Sequence, residues 1–430
     1  MIPYRGPAFP AGRVRQVAAP QTNWAGNVTF GAARTLRPAT VAQLREAVAE
    51  NSRVRALGSG HSFSRIADTT GVLISLDDLP QDVRIDAERG AVTVSAAIRY
   101  GELAARLHQA GYALHNLASL PHIGVAGACA TGTHGSGDGN GSLATAVSAM
   151  EMVTADGELV TVSRDGQDEE FAGMVVALGA LGIVTSMTLG IEPTFTVRQW
   201  VYEDLPRSQL DAHFAEIFAS AYSVSVFTDW RPPYACRVWL KRKADSWTPP
   251  ARWFDARLAE VPLHPVPGMD PDGTTAQLGV PGPWYQRLPH FRPEYTPSSG
   301  DELQSEYLLP RELAVQALAA LNPIAHQIAP VLRIAEIRTI AADDLWLSPC
   351  YQRDSAGLHF TWHPDTAAVI PVLAAIEERL APFGARPHWG KLFVMNPAAL
   401  YPRLPGFRSL MSRYDPDGTF GNEFIDRYIP

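Results

Sequence analysis

Short apolar stretches alternate with helical patterns through roughly the first 190 residues. A capping-box sequence at Thr40–Gln43 opens a predicted helix, because its hydroxyl and amide side chains can satisfy free backbone groups at a helix start. Further helices are predicted from about Tyr100 to Gly111 and from near Asp168 to Gly179, and strands at 54–57, 72–76, 83–87, 91–95, 150–154, 159–163 and 182–191. Asp156-Gly157 predicts a hairpin turn. These elements indicate an α+β fold with several antiparallel strand pairs, unlike the regular βαβ series of a doubly wound nucleotide fold.

The pattern changes after Pro193, where proline and tryptophan become frequent. Residues 244–300 hold many prolines with little periodicity, which is typical of a structured site loop in a compact enzyme. Strands are then predicted at 302–309, 331–340 and 357–362, and helices at 312–327 and 366–381. The C-terminal segment is too short to fold alone but carries aromatic anchors. We therefore expect a first domain over 1–193, a second over 194–402, and a segment 403–430 that returns to the first domain.

Composition and charge exclude several classes of function. Of the 430 residues, 46% are hydrophobic and 19% charged, as in globular proteins. The net charge of −8 is spread along the chain and argues against a nucleic-acid partner. No apolar run reaches the roughly 20 residues that span a bilayer, and the N-terminus lacks the apolar core of a secretory signal. Cys129, Cys236 and Cys350 form no CxxC pair. We expect a cytoplasmic monomer without a membrane partner.

Two glycine-rich segments are suited to holding phosphate. The first is Leu57–Ser62, directly after a predicted strand, and the second is Ala130–Gly137. Glycine permits positive φ and close approach, so consecutive backbone N–H groups can surround an anion. Neither segment matches the P-loop or the Gly-x-Gly-x-x-Gly fingerprint. Ordinary glycine turns are the alternative, but two such loops in one α+β domain favour an unusual dinucleotide cradle.

His61 lies inside the first glycine-rich loop. Taken alone, a loop histidine is usually a surface or hydrogen-bonded residue. The sequence Gly-Ser-Gly-His-Ser after a strand, however, resembles the FAD-linking loop of the vanillyl-alcohol oxidase family, in which that histidine is bonded covalently to the flavin. An imidazole suits this role because it is a neutral nucleophile near pH 7. The resemblance implies the two-domain fold of that family, with covalent FAD on His61, an FAD-binding domain over 1–193 and a substrate-binding domain with an antiparallel sheet over 194–402.

A closer resemblance, to bacterial alditol oxidases, covers nearly the whole chain after the first dozen or so residues. The segments that carry it are Leu114–His122, Pro265–Asp270, Gln277–Trp284, Ser298–Glu306 and His388–Lys391. Gly124 and Gly421 depart from the residues common in that family. The resemblance implies substrate contacts at Ser119, Glu336, Arg338, Thr361 and Lys391. The expected FAD contacts are His61 (covalent), Leu57, Gly58, Ser59, Gly60, Ser62, Ala118, Ser119, Gly124, Gly127, Ala128, Thr131, Thr133, His134, Gly182, Ile183, Val184 and His388.

Polar residues recur at alternate positions of three predicted strands. Since side chains of a strand alternate between faces, each pair shares one face. The pairs are Glu336 with Arg338, His359 with Thr361, and Gln304 with Glu306; Lys391 follows in a loop. Structural ion pairs are the alternative for any one pair. Several such pairs with a lysine nearby suit a pocket for a polyhydroxylated ligand, so Gln304 and His359 join the predicted substrate contacts.

A metal site at His359 and His363, beside Asp365, is a weaker interpretation. The two histidines are four residues apart, but His363-Pro364 begins a predicted turn. No cysteine is near, and no third ligand has suitable spacing. We therefore predict no metal.

The predicted activity is FAD-dependent oxidation of the terminal (C1) hydroxyl of alditols such as xylitol and sorbitol. Hydride transfer to flavin N5 followed by reaction with O2 gives the aldose and hydrogen peroxide. Lys391 accepts the hydroxyl proton or stabilises the alkoxide, Arg338 favours the developing oxyanion, and Glu336 holds Arg338 and binds a substrate hydroxyl. A sugar-lactone or polyol dehydrogenase of the same fold and a non-catalytic sugar-binding protein are the alternatives. Small residues around Ala118 favour the oxidase, because they leave a path for O2.

Overall fold

The computed structural model describes residues 14–429 except 19, 21, 233–235 and 296–300. Residues 298–300 of the Ser298–Glu306 motif therefore lie outside the described residues. The strands up to Pro193 are β1 (Arg15–Ala18), β2 (Arg34–Arg37), β3 (Val54–Ala56), β4 (Val72–Ile74), β5 (Val83–Asp86), β6 (Ala91–Ser95), β7 (Tyr112–Ala113), β8 (Val147–Val153), β9 (Leu159–Ser163), β10 (Ile183–Gly190) and β11 (Glu192–Pro193). The α-helices in this part are α1 (Val41–Ala49), α2 (Tyr100–Gln109), α3 (Val125–Ala130) and α4 (Arg164–Met174).

The first sheet has the strand order β1-β2-β4-β3. Helix α1 is capped as predicted, since the Thr40 hydroxyl accepts a hydrogen bond from the Gln43 N–H at 3.2 Å. The helix carries the chain back so that β2 and β3 both pair with β4 in parallel. The first sheet therefore contains two parallel strand pairs in addition to the kind of antiparallel pair that the sequence predicted.

The second sheet is antiparallel, in the order β5-β6-β10-β8-β9. The hairpin between β8 and β9 contains Gly157 with φ +79°, as its Asp-Gly turn requires. Helix α4 begins at Arg164, directly after β9, and ends at Met174, so the predicted span from near Asp168 to Gly179 is shifted. Leu178 and Gly179 both have positive φ, which ends helical backbone before this point.

The strands after Pro193 are β12 (Thr196–Leu205), β13 (Ser223–Thr228), β14 (Cys236–Lys243), β15 (Arg252–Trp253), β16 (Ala256–Leu258), β17 (Gly282–Pro283), β18 (Leu303–Pro310), β19 (Leu332–Ile340), β20 (Ser355–Trp362) and β21 (Arg386–Pro387). The α-helices are α5 (Arg207–Ala212), α6 (Phe214–Ala219), α7 (Ala314–Leu321), α8 (Ala325–Ile328), α9 (Thr366–Leu380), α10 (Leu404–Tyr414) and α11 (Glu423–Tyr428). The predicted helix 312–327 is divided into α7 and α8 by a short 3-10 turn at Asn322–Ile324, because Pro323 has no N–H to donate to the carbonyl four residues before it.

A large sheet dominates this second part, in the order β15-β16-β12-β14-β13-β19-β20-β18-β21, with β17 on β12. Its central pairs are antiparallel. Ala335 and Ile337 of β19 belong to the hydrophobic core, whereas Glu336 and Arg338 face the opposite side. The sheet therefore has one apolar face, covered by helices, and one face that carries buried polar side chains.

The C-terminal segment contacts the first part of the chain. The Val54 N–H donates to the Thr419 carbonyl at 2.9 Å, and Asn422 Nδ2 donates to the carbonyls of Ile66 and Asp68 at 3.1 and 2.8 Å. Phe420 is buried in a cluster with core residues of the first sheet. These contacts support the division 1–193, 194–402 and 403–430, which we propose for the domains.

Arg55 joins several of these segments through one buried side chain. Nη1 donates to the carbonyls of Gly179 and Phe420, at 2.9 and 2.8 Å, and Nη2 donates to those of Ile66 and Leu178, at 2.5 and 2.7 Å. Arg55→Met is expected to lower the free energy of unfolding by more than about 3 kcal/mol, because buried carbonyls lose their donors. Urea denaturation measures this loss.

The control for Arg55 is an exposed arginine on β5. Arg84→Met should change the free energy of unfolding by less than about 0.5 kcal/mol. Equal urea midpoints for Arg55→Met and the parent would contradict the role given to Arg55.

In the described part of the chain, no helix combines the length and apolar character needed to cross a membrane.

The three cysteines, Cys129, Cys236 and Cys350, are all buried. Burial raises the pKa of the Cys129 thiol to about 12, so this thiol stays protonated at neutral pH.

Candidate active site

A cavity extends from the two glycine-rich loops to the polar face of the large sheet. Most of the predicted site residues line it. They are Leu57, Gly58, Ser59, Gly60, His61, Ser62, Ala118, Ser119, Gly124, Gly127, Ala128, Thr131, Thr133, His134, Gly182, Val184, Gln304, Arg338, His359, His388 and Lys391. Ile183, Glu336 and Thr361 do not line the cavity. Ile183 is buried in the core beside β8, whereas Glu336 and Thr361 lie on the polar sheet face next to the lining residues.

The first glycine-rich loop presents its backbone to this cavity. The N–H groups of residues 58–62 donate to no acceptor among the described residues. A Cβ atom on Gly58 or Gly127 would meet nothing within 4 Å, so both glycines border open space, and Gly60 has φ +63°. Consecutive free N–H groups of this kind bind an anion. The loop therefore fits the diphosphate of FAD.

His61 lies at the centre of this lining, in contact with other rings. Its ring centroid is 4.3 Å from that of Trp24 and 5.7 Å from that of His122. Burial, followed by the neighbouring His122 and Lys391, lowers the pKa of His61 to about 3. The imidazole is therefore neutral at physiological pH and keeps a nucleophilic nitrogen.

Glu306 is the centre of an ionic cluster on the polar sheet face. Its carboxylate lies 2.6 Å from Arg338 Nη2, 2.7 Å from Lys391 Nζ and 3.3 Å from His134 Nε2. Burial opposes ionisation, but Arg338 and Lys391 hold the pKa of Glu306 well below its usual value. The sequence pattern placed Glu306 on the face of Gln304 without giving it a role in the site. Alternation along β18 was the signal that could have assigned it.

Arg338 is held by Glu306, and the predicted hydrogen-bond partner, Glu336, is farther away. Glu336 Oε2 lies 3.7 Å from Arg338 Nε, and its Oε1 instead accepts a hydrogen bond from His290 at 2.9 Å. The reason is strand register, since Arg338 is opposite Gly357. A Cβ on Gly357 would lie 3.2 Å from Glu306 Oε1, so glycine leaves the space through which the guanidinium reaches β18.

The directions of the hydrogen bonds around His359 leave its Nδ1 as an acceptor without a partner among the described residues. Gln304 Nε2 donates to Glu302 at 2.6 Å, so Gln304 Oε1 accepts from His359 Nε2 at 3.2 Å. Burial, followed by Lys391, lowers the pKa of His359 well below its usual value, so the ring is neutral and Nδ1 carries a lone pair. Among the described residues, neither this Nδ1 nor Arg338 Nε has a hydrogen-bond partner.

Both unpartnered atoms lie 3.7 Å from Glu336 Oε2. Two acceptors and one donor therefore converge on one place beside the cavity. A hydroxyl group both donates and accepts, so it satisfies this arrangement better than a purely acidic or purely basic group.

His359 and His363 do not form a metal site in the described ranges. No group of three His, Cys, Asp or Glu side chains with suitable geometry is present there. Asp365 instead caps α9, where its side chain accepts a hydrogen bond from the Ala368 N–H at 3.0 Å.

Comparison with known proteins agrees with the fold and the cavity. Residues 32–163 match the FAD binding domain family, and residues 301–428 match the D-arabinono-1,4-lactone oxidase family. A cholesterol oxidase structure from Brevibacterium sterolicum, a His121Ala mutant, superposes with a TM-score of 0.79 at 16% identity and covers 99% of both chains. This likeness and the matched domain confirm the α+β, vanillyl-alcohol oxidase-type flavoprotein fold.

Two curated relatives align along nearly the full length. L-gulonolactone oxidase of Bos taurus is 29% identical, over 94% of this chain and 97% of its own. The alditol oxidase of Streptomyces sp. (strain IKD472) is 52% identical over 410 residues, which are 94% of this chain and 97% of the relative. The chain therefore belongs to the alditol oxidase family of FAD-dependent oxidoreductases.

Proposed function

We propose that the protein oxidises the terminal (C1) hydroxyl of alditols such as xylitol and sorbitol, giving the aldose and hydrogen peroxide. The observation that carries the proposal is the convergence of Glu336 Oε2, His359 Nδ1 and Arg338 Nε beside the cavity. Each atom needs a partner that a polyol hydroxyl can supply. The loop that fits the FAD diphosphate lines the same cavity.

The side chains around Glu306 suit the removal of a hydroxyl proton. Burial and Arg338 lower the pKa of Lys391, while Glu306 at 2.7 Å raises it. Lys391 accepts the proton as a neutral amine or stabilises the alkoxide as a cation. Arg338, fixed by Glu306, favours the developing negative charge on oxygen. When bound, FAD would supply the two-electron oxidation, with hydride transfer to N5 and O2 as the final acceptor.

A sugar lactone is the second candidate substrate. It is favoured by the similarity to L-gulonolactone oxidase and by the match of residues 301–428 to a lactone oxidase family. A dehydrogenase that uses another electron acceptor remains the alternative to an oxidase.

One experiment distinguishes these functions. The purified holoenzyme is mixed without oxygen with xylitol, sorbitol or gulonolactone, and the absorbance of the flavin is followed. Peroxide is then measured after air is admitted. We expect xylitol and sorbitol to bleach the flavin and peroxide to form. Bleaching by gulonolactone alone would overturn the alditol proposal, and bleaching without peroxide would favour a dehydrogenase.

We further propose that FAD is bonded covalently to His61. Its neutral imidazole lies in the cavity beside the loop that fits the diphosphate. His61→Ala is expected to remove the covalent bond completely, because no nucleophile replaces the imidazole. Acid precipitation measures this: the parental pellet should be yellow, and the flavin of the variant should be released to the supernatant.

The matched control for His61 is a half-buried histidine of the same part of the chain. His108→Ala should retain covalent flavin, since this ring contacts Thr194 and Tyr285 away from the cavity lining. Release of the parental flavin by acid would contradict the covalent bond.

A further inference from the structure

A buried histidine and a buried lysine lie behind Glu336, outside the cavity lining. His290 belongs to the irregular segment between β17 and β18, and its Nε2 is 2.9 Å from Glu336 Oε1. On the other side of the ring, Nδ1 is 3.1 Å from Lys241 Nζ. Lys241, on β14, also donates to the carbonyls of Leu288 and Pro289, at 2.5 and 3.0 Å. Lys241 Nζ thus lies within hydrogen-bond distance of three polar atoms.

This geometry determines where the proton of His290 lies. Burial lowers the pKa of Lys241 to about 7, so the direction follows from Glu336. Arg338 keeps the pKa of Glu336 below its usual value, so the carboxylate only accepts, and His290 Nε2 carries a proton and donates to it. In the neutral ring, Nδ1 then accepts from Lys241. Burial, followed by Lys241, lowers the pKa of His290 to about 4, in agreement with a neutral ring at physiological pH. One oxygen of Glu336 is therefore occupied, and the other is left for a ligand.

Lysine is a rare residue in this chain, so a lysine at position 241 is unusual. Of its 36 basic residues, only Lys241, Lys243 and Lys391 are lysines. Lys241 and Lys391 both lie in the buried network of the polar sheet face, whereas the Lys243 side chain is 42% exposed. The donors of a lysine Nζ are arranged tetrahedrally, whereas all the donors of an arginine lie in the plane of its guanidinium, so the two side chains are not interchangeable here.

The segment that carries His290 is also fixed to its surroundings. The His290 N–H donates to the Ser119 carbonyl at 3.3 Å, and the Thr275 hydroxyl donates to the Pro289 carbonyl at 2.8 Å. Gln199 Nε2 in turn donates to the Thr275 carbonyl at 3.2 Å. The imidazole is thus held at a defined place between β14 and Glu336.

We propose that Lys241 and His290 are positioning residues for the oxidation. Lys241 fixes the tautomer of His290, and His290 holds one oxygen of Glu336 so that the other receives a substrate hydroxyl. This inference rests on the proposed function.

The kinetic test compares variants of the holoenzyme with xylitol as substrate. His290→Phe keeps the ring but has neither nitrogen, and it should lower kcat/KM by about 10- to 100-fold. His290→Gln keeps an acceptor and a donor and should remain within about fivefold of the parent. His264→Phe is the matched control, because His264 is another buried histidine between Pro193 and β17, and its Nδ1 accepts from the Val266 N–H. It should leave kcat/KM within about twofold of the parent.

A double-mutant cycle separates positioning from a purely structural role. In a Glu336→Ala background, His290→Phe should change kcat/KM by less than about twofold, because the group through which His290 acts is gone. Multiplication of the two single effects in the double variant would overturn the proposal. FAD content and melting temperature are measured for each variant. If His290→Phe does not fold, Lys241→Met replaces it in the cycle with the same expectation.

A second measurement does not depend on activity. Nitrogen-15 NMR of histidine-labelled holoenzyme should show His290 with a protonated Nε2 and an unprotonated Nδ1 between about pH 6 and 8. An imidazolium or an Nδ1–H tautomer in this range would overturn the proposed arrangement. If no alditol bleaches the parental flavin, the proposed function fails, and the NMR result alone decides the arrangement of Lys241 and His290.

Discussion

Lys391→Met is expected to slow flavin bleaching by xylitol by more than about 100-fold, the usual effect of losing a positioned acid or base. Methionine keeps the length and apolar bulk of the side chain but can neither accept a proton nor carry charge. Glu306 retains Arg338 at 2.6 Å after the change, so its carboxylate is not left unpaired. Anaerobic stopped-flow absorbance measures the rate, while FAD content and melting temperature should change little.

The pH dependence of the parent distinguishes the two roles of Lys391. Because burial lowers the pKa of Lys391, its neutral amine forms at a lower pH than that of a free lysine, and the neutral fraction grows as the pH rises. A rate that increases with pH identifies the amine as proton acceptor, and a rate that decreases identifies stabilisation by the cation. In Lys391→Met, the rate of flavin bleaching should no longer show either kind of dependence on pH.

Lys243→Met is the control for Lys391. The Lys243 side chain is 42% exposed and pairs with Glu192 at 3.2 Å, away from the cavity lining. The rate of flavin bleaching in Lys243→Met should match that of the parent within about twofold. A parental rate in Lys391→Met would show that the role given to Lys391 is wrong, and unfolding of this variant would show that Lys391 is structural.

Arg338→Lys is expected to lower kcat/KM for xylitol by about 100-fold or more, although the charge is retained. The guanidinium donates to Glu306 through Nη2 and directs Nε towards Glu336 Oε2. A single ammonium cannot occupy both places, so either the ion pair or the oxyanion contact is lost. Steady-state peroxide formation measures the change.

Arg333→Lys is a matched control on the same strand. Arg333 pairs with the largely exposed Asp301 at 3.3 Å and does not line the cavity. The same substitution there should leave kcat/KM within about twofold of the parent. Equal losses at the two positions would indicate a general effect on β19 and would refute the specific role of Arg338.

The glycine-rich loop that we propose binds FAD could be picked out from sequence because it is local. Gly58, Ser59, Gly60 and His61 are consecutive, so their spacing alone brings free N–H groups and an imidazole to one place. The helix cap at Thr40 and the hairpin turn at Gly157 were predictable for the same reason. Helix α4 was misplaced because no side-chain cap marks its start at Arg164, directly after β9.

The polar face of the large sheet, where we propose that the substrate binds, was only partly predictable. Alternation along a strand places Glu336 with Arg338 and Gln304 with Glu306, since faces repeat every second residue. It does not say which strands are neighbours or which residues are opposite one another. The pairing of Arg338 with Glu306, across Gly357, depends on the register of three strands that are far apart in sequence.

Sequence by itself thus determined the fold class and the glycine-rich loop with His61, and most of the residues predicted for the site line the cavity, because these depend on local pattern and family resemblance. Only the tertiary structure decided the partners. Glu306 proved to be the centre of the ionic cluster, and His290 reached Glu336 from a segment without periodicity. The physical reason is that a hydrogen bond or ion pair needs atoms within a few ångströms. Strand register and loop contacts, not spacing along the chain, set those distances.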